Sequence, residues 1–253
     1  MTSIAPEIQT DSERDLQEIV SAIHRSQAVI EFDIDGTIRT ANENFLKTLG
    51  YELSEIQGRH HKMFAPPGYA DTSAYAEFWE TLSNGIFVAN EFLRIGKGGR
   101  EIWIQASYNP LFDENGKAVK VVKFATDITE RKAMNANFRG QVEAINKSQA
   151  VIEFDMTGTI LTANENFLST LGYSLEEIVG KHHRLFIEEG YSKSPEYAAF
   201  WEGLNEGKFV ADEFKRIGKG GKEVYIQASY NPILEPSGRT VKVVKFATDI
   251  TRT

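Results

Sequence analysis

The 253-residue sequence contains no cysteine. That absence excludes disulfides, zinc–thiolate sites, thiol nucleophiles and photochemistry through a cysteinyl–flavin bond. Positive charge is also short: 28 Lys and Arg stand against 36 Asp and Glu, a formal net charge of −8. Binding a phosphate backbone needs clustered cations, so nucleic acid is not an expected partner. No apolar run approaches the roughly 18 residues of a spanning helix, and Met1 to Pro6 lacks the basic-then-apolar order of a secretory signal. The expected location is cytoplasmic. Catalytic signatures are missing too: there are no paired carboxylates set for acid–base work, no nucleophilic Ser motif and no His-Glu-x-x-His helix. An enzyme is not expected.

What is present is a duplication. Aligned without a gap at an offset of 122, Ser26 to Thr129 and Ser148 to Thr251 agree at 69 of 104 positions. The period far exceeds that of stacked solenoid repeats, so it indicates two domains. The main mismatch is Pro66 to Ala74 against Glu188 to Glu196, read as a variable loop. The register extends upstream, where Leu16, Val20 and Ile23 fall on Phe138, Val142 and Ile145. Their spacing predicts an amphipathic helix ahead of each unit, either capping its own domain or forming a seam between subunits. The expected limits are a leader helix over 1–24, domains over 25–130 and 148–253, and a linker helix over 131–147.

Within the first unit, alternation predicts a strand over 28–33. A tight turn at Asp33 to Gly36 and a return strand over 37–40 follow. Phe45, Leu46 and Leu49 have helical spacing and stop at Gly50. Thr72 to Asn84 carries Tyr75, Phe78, Trp79 and Leu82 on one helical face, and strands are expected over 87–95, 101–111 and 119–127. Gly96-Lys-Gly-Gly99 lacks the Gly-Lys-Ser/Thr ending of a phosphate loop and lies between strands, so it reads as a hairpin. The fold class is α+β: each unit is a five-stranded antiparallel sheet with short helices over one face.

The residues that carry a family resemblance are Asp35-Gly36, Ala41-Asn42-Glu-Asn44-Phe45, Leu49-Gly50-Tyr51, Phe78-Trp79, Arg94 with Gly98-Gly99, Tyr108-Asn-Pro110 and Asp127-Ile-Thr129. In these motifs each unit resembles a PAS sensory domain. Within that family the pair is similar to the tandem modules of bacterial chemoreceptor-like proteins of the biofilm-dispersion and aerotaxis type. The resemblance implies a signal-transduction sensor that binds a small molecule or cofactor, with FAD or b-type haem as candidates. It also implies a homodimer, a methyl-accepting chemoreceptor-type output domain or partner, and signal exit at Asp127, Thr129, Asp249 and Thr251. The alternative is a cofactor-free dimerisation or protein-interaction module.

Four of the five histidines lie in the pairs His60-His61 and His182-His183. Neighbours on a short helix point about 100° apart, so one ring of each pair is expected to face inward. That ring could hydrogen-bond to backbone, contact a ligand, ligate haem iron at His61 or His183, or titrate near neutrality. The candidate cofactor-binding residues are Asn42, His60, His61, Phe64, Trp79 and Arg94, with Asn164, His182, His183, Phe186, Trp201 and Arg216 in the second unit. Strand alternation turns Arg94 and Arg216 toward the helices, where each needs an acceptor: a carboxylate such as Glu43, or an anionic ligand group. His61, Asn42 and Trp79, with His183, Asn164 and Trp201, resemble positions of flavin-binding aerotaxis-type PAS domains, and the surrounding pattern departs from theirs at Ala65-Pro66-Pro67 and more at Ile187-Glu188-Glu189.

Overall fold

A computed structural model describes residues 11–251, so the first ten residues of the expected leader helix lie outside the described residues. The chain divides into two compact units with the boundary between Ala136 and Asn137. In the first, α1 (Asp11–Ser26) precedes β1 (Ala28–Asp33), β2 (Ile38–Ala41), α2 (Glu43–Leu49) and α3 (Leu53–Ile56). A 3-10 turn follows at His61–Phe64, then α4 (Ser73–Ser83), β3 (Val88–Ile95), β4 (Glu101–Phe112) and β5 (Ala118–Asp127). The strands form one antiparallel sheet in the order β2-β1-β5-β4-β3.

Helix α5 (Thr129–Ser148) runs without a break from the end of the first sheet to the start of the second, beginning two residues before the expected linker. The second unit repeats the plan: β6 (Ala150–Phe154), β7 (Ile160–Ala163), α6 (Glu165–Leu171), α7 (Leu175–Ile178), a 3-10 turn (His183–Phe186), α8 (Glu189–Ser192), α9 (Pro195–Asn205), β8 (Val210–Ile217), β9 (Glu223–Leu234) and β10 (Thr240–Asp249). Its sheet has the equivalent order β7-β6-β10-β9-β8. Among the described residues no helix is long and apolar enough to cross a membrane.

Strand parity places the core. Ile30 and Phe32 of β1, Ile102, Ile104, Ala106 and Tyr108 of β4, and Val121, Lys123 and Ala125 of β5 all point toward the helices and are buried. Helix α4 closes this face with Tyr75, Trp79 and Leu82, at the spacings of four and three that make one helical stripe. Two glycines are required by close approach. A Cβ on Gly36, whose φ is +89°, would lie 2.7 Å from His60 Nε2 and 2.9 Å from the Trp79 ring. One on Gly96 would lie 2.7 Å from the Leu49 carbonyl, so the start of the β3–β4 hairpin packs directly on the end of α2.

The variable loops differ in structure as well as sequence. The first makes a 3-10 turn at Tyr69–Asp71, whereas the second forms α8. Glu188, at the place of Pro66, is salt-bridged at 2.8 Å to Lys215, at the place of Leu93. The acid and its cation therefore arrive as a pair, and the charge is answered within the second domain.

Candidate functional site

The 3-10 turn separates the two histidines of each pair. His60 is its N-cap: Nδ1 accepts from the Lys62 N–H at 3.1 Å, which leaves the proton on Nε2 to donate to the Asp35 carbonyl at 2.7 Å. His182 caps the second turn in the same way, accepting from Arg184 N–H. His61, one residue on, is wholly inside at 0% exposure, as is His183.

Both nitrogens of the His61 ring are engaged. Nδ1 lies 2.9 Å from the Tyr75 hydroxyl of α4, and Nε2 lies 3.0 Å from the Tyr108 hydroxyl of β4. Arg94 of β3 donates from Nη2 to the same Tyr108 oxygen at 3.1 Å. Because that oxygen already accepts, its own proton is free to go to His61 Nε2, and His61 then donates from Nδ1 to Tyr75. The second domain repeats the chain: His183 to Tyr197 at 3.0 Å and to Tyr230 at 2.9 Å, with Arg216 donating to Tyr230 at 2.9 Å.

The expected Arg94–Glu43 salt bridge does not form. Glu43 pairs with Lys47 on the exposed side of α2, while Arg94 takes the Leu93 carbonyl and the Tyr108 hydroxyl and lies 4.6 Å over the Phe92 ring. A neutral phenol and an aromatic face stand in for the carboxylate. Nor do the buried histidines titrate near neutrality. Burial, reinforced by the charges of Arg94 and Lys123, holds His61 well below the ordinary imidazole range, and burial with Lys245 and Arg216 does the same to His183. Burial pushes the Tyr75 and Tyr197 hydroxyls up to about 12.

Asn42 and Asn164 lie apart from this network. The Asn42 side-chain oxygen accepts from Val29 and Phe45 N–H, and its amide donates to the carbonyls of His24 and Gln27. All four of its hydrogen-bonding positions serve backbone, so it joins α2 to β1 and to the end of α1. Asn44 adds bonds to His24, Arg25 and Gln27, and Asn164 with Asn166 reproduces the joint in the second domain. Phe64 and Phe186 are core residues, packed edge-on against Phe45 and Tyr51, and against Phe167 and Tyr173. Trp79 and Trp201 pack against the network, 5.5 and 5.6 Å from the His61 and His183 rings. The Trp79 indole N–H, close to Tyr75, makes no well-formed hydrogen bond.

Lys123 and Lys245 border this network, although no sequence motif singles them out. Each is buried on the central strand of its sheet, its Nζ 4.9 Å over the ring of Tyr108 or Tyr230. Strand parity with Val121 and Ala125 was the signal that could have found them. Burial lowers both lysines well below their ordinary value. In the sequence Tyr75 is an apolar helix position and Tyr108 part of a family motif, and neither points to a bond with His61.

Neither haem nor flavin suits this core as it stands. Iron ligation by His61 would forfeit a bond to a buried tyrosine, and the Asn42 amide has no valence left for a flavin ring. Among the described residues no cluster of His, Asp and Glu is arranged to hold a metal ion.

The Asp-Ile-Thr signature is built onto the sheet. Asp127 Oδ1 accepts from Thr129 N–H at 2.8 Å, and the Thr129 hydroxyl accepts from Trp103 N–H of β4 at 3.0 Å. Asp249, Thr251 and Tyr225 repeat this at 2.8 and 2.9 Å. Arg131 and Lys132 in the first turn of α5 then pair with Glu91 of β3.

Comparison with known proteins agrees with this architecture. Models of the PAS fold match residues 24–133 and residues 160–247. The biofilm dispersion protein BdlA of Pseudomonas aeruginosa is 42% identical over 231 residues, which is 91% of this chain and 55% of BdlA. The aerotaxis receptor of Escherichia coli is 30% identical over 100 residues, covering 40% of this chain and 19% of the receptor. The oxygen sensor protein DosP of the same organism is 29% identical over 124 residues, 47% of this chain and 15% of DosP. The chain thus spans about half the length of BdlA and a smaller part of the others. With a five-stranded antiparallel sheet, helices on one face and a PAS-fold match in each half, the chain belongs to the PAS family as two tandem domains.

Proposed function

We propose that this chain is the sensory part of a bacterial signal-transduction protein, with working domains at 25–130 and 148–253. Each PAS core takes a small molecule, and the change is relayed through helix and dimer packing to a chemoreceptor-type output. The observation that carries this is the buried His–Tyr–Tyr–Arg network, built twice. It links the 3-10 turn, α4 and two sheet strands through groups that bond to one another instead of to solvent, so a ligand that takes one partner disturbs all of them. The sites comprise His61, Trp79 and Arg94 with Tyr75, Tyr108 and Lys123, and the matching residues of the second domain. His60, Phe64, His182 and Phe186 hold the wall behind them. Asn42 and Asn164 act at one remove, on the leader helices.

The exit route is Asp127-Ile-Thr129 into α5, and Asp249-Ile-Thr251 at the second domain. The chain works without catalysis and as a homodimer in the cytoplasm. The apolar stripes of α1 and α5 favour self-association, since Leu16, Ile19 and Val20, and Phe138 and Val142, stay exposed on their own domains. The test is to denature the purified chain and examine the released fraction by mass spectrometry and absorption. A stoichiometric small molecule, without the Soret band of haem or the blue band of flavin, is expected. A clean fraction, with no compound that stabilises the chain, would leave the alternative of a cofactor-free dimerisation module.

A further inference from the structure

Cations in the first turn of a helix face the positive end of its dipole, so Arg131 and Lys132 weaken the start of α5 unless an anion stands beside them. Glu91 of β3 is that anion. Its Oε1 accepts from Arg131 at 3.0 Å and its Oε2 pairs with Lys132 at 2.6 Å. Arg131 also reaches Gln105 of β4 at 3.5 Å, and Lys132 Nζ lies 4.7 Å over the Trp103 ring. Helix α5 buries no side chain, so beyond the Asp-Ile-Thr junction these polar contacts seat its first turn on the outer face of the sheet. The three charged side chains are 38–54% exposed, and ion pairs so open to water are individually weak and screened by salt. Lys132 holds the Glu91 carboxyl below its ordinary range, which keeps it charged at neutral pH.

The same two strands carry Arg94 and Tyr108 on their inner face, and across their ladder Glu91 pairs with Gln105 and Leu93 with Trp103. A shift of β3 against β4 that follows a change at Tyr108 is thereby carried to Glu91. In the second domain Glu213, Tyr225 and Gln227 take the same places, but the register sets Arg252 and Thr253 against Glu130 and Arg131. Lys215 of β8 is taken by Glu188 and Glu223, and among the described residues Glu213 forms no ion pair. We propose, on the basis of the exit route above, that Glu91 with Arg131 and Lys132 is a releasable latch. Closed, it docks the first turn of α5 on the sheet and offsets the helix dipole. Open, that turn frays from the sheet while the domain stays folded. The many weak, exposed contacts suit such a balance, because no apolar burial holds the turn in place.

The test is amide hydrogen exchange over residues 132–136 of the 253-residue chain, read beside its thermal unfolding midpoint. In the E91Q variant exchange is expected to quicken about fivefold with the midpoint nearly unmoved. Raising NaCl from about 0.05 M to about 0.5 M does the same to the unaltered chain. The E213Q variant, the matching change in the second domain, leaves residues 132–136 as they were. Unchanged exchange in E91Q, or equal loosening in E213Q, would overturn the latch. So would a midpoint that falls in step with the exchange, since the contact would then belong to the fold itself. The salt series on the unaltered chain decides the matter even where E91Q fails to fold. Thr129→Val removes the hydroxyl that accepts from Trp103 N–H, and it separates the latch from the exit route. Faster exchange in T129V with none in E91Q overturns the latch alone, and a response in neither variant overturns both.

Discussion

An imidazole that bonds to two phenols inside a cationic core is stable there only without a second proton. The folded-state value of His61 and His183 therefore lies below that of the unfolded chain, which binds more protons as pH drops. Stability from this source is complete above about pH 6.5 and is lost as pH falls below it, by up to roughly 1.4 kcal/mol per pH unit for each histidine. The thermal midpoint is expected to fall progressively between pH 6.5 and pH 5. In the H61Q/H183Q variant the profile should be flatter; an unchanged slope would assign the acid sensitivity to other groups. The histidines stood out in the sequence as a repeated pair, and helix geometry alone predicted that one ring of each turns inward. Their partners were not legible, because Tyr75, Tyr108 and Lys123 are 14, 47 and 62 positions away and meet only when the sheet and α4 close.

Among the elements, the joint between α1 and α2 is the part that sequence patterns described least well. The family resemblance points Asn42 toward a cofactor, and in the structure its side chain caps α2 and holds the carbonyls at the end of α1. An Asn opening a helix is visible in sequence, but which carbonyls its amide reaches depends on how the preceding helix docks. The Asn42→Ala variant loses an N-cap worth about 1 kcal/mol and the further backbone bonds of its amide. Destabilisation of about 2–3 kcal/mol in denaturant unfolding is expected, with faster amide exchange through α1. Normal protection of α1 in that variant would show that Asn42 does not hold the helix to its domain.

At the scale of the whole molecule, each leader helix has an apolar stripe that its own domain does not cover. None of the residues of α1 or α5 is buried, which bears on the alternatives of a self-capping helix and a subunit seam. If α1 is part of such a seam, deleting residues 1 to 24 lowers the sedimentation mass from dimer toward monomer or weakens dimer affinity at least tenfold. A truncated chain with unchanged mass and affinity would place the contact elsewhere.

The sequence alone determined the duplication, the order of the strands and main helices and the PAS architecture, because these rest on local signals: apolar period, glycine at turns, and a register repeated at one offset. Only the tertiary structure decided what the inward-facing groups do. Hydrogen bonding and desolvation depend on which distant side chains are brought together. Arg94 met a tyrosine where a carboxylate was expected, Lys123 turned out to lie in the core, and His61 became the neutral centre of a buried network.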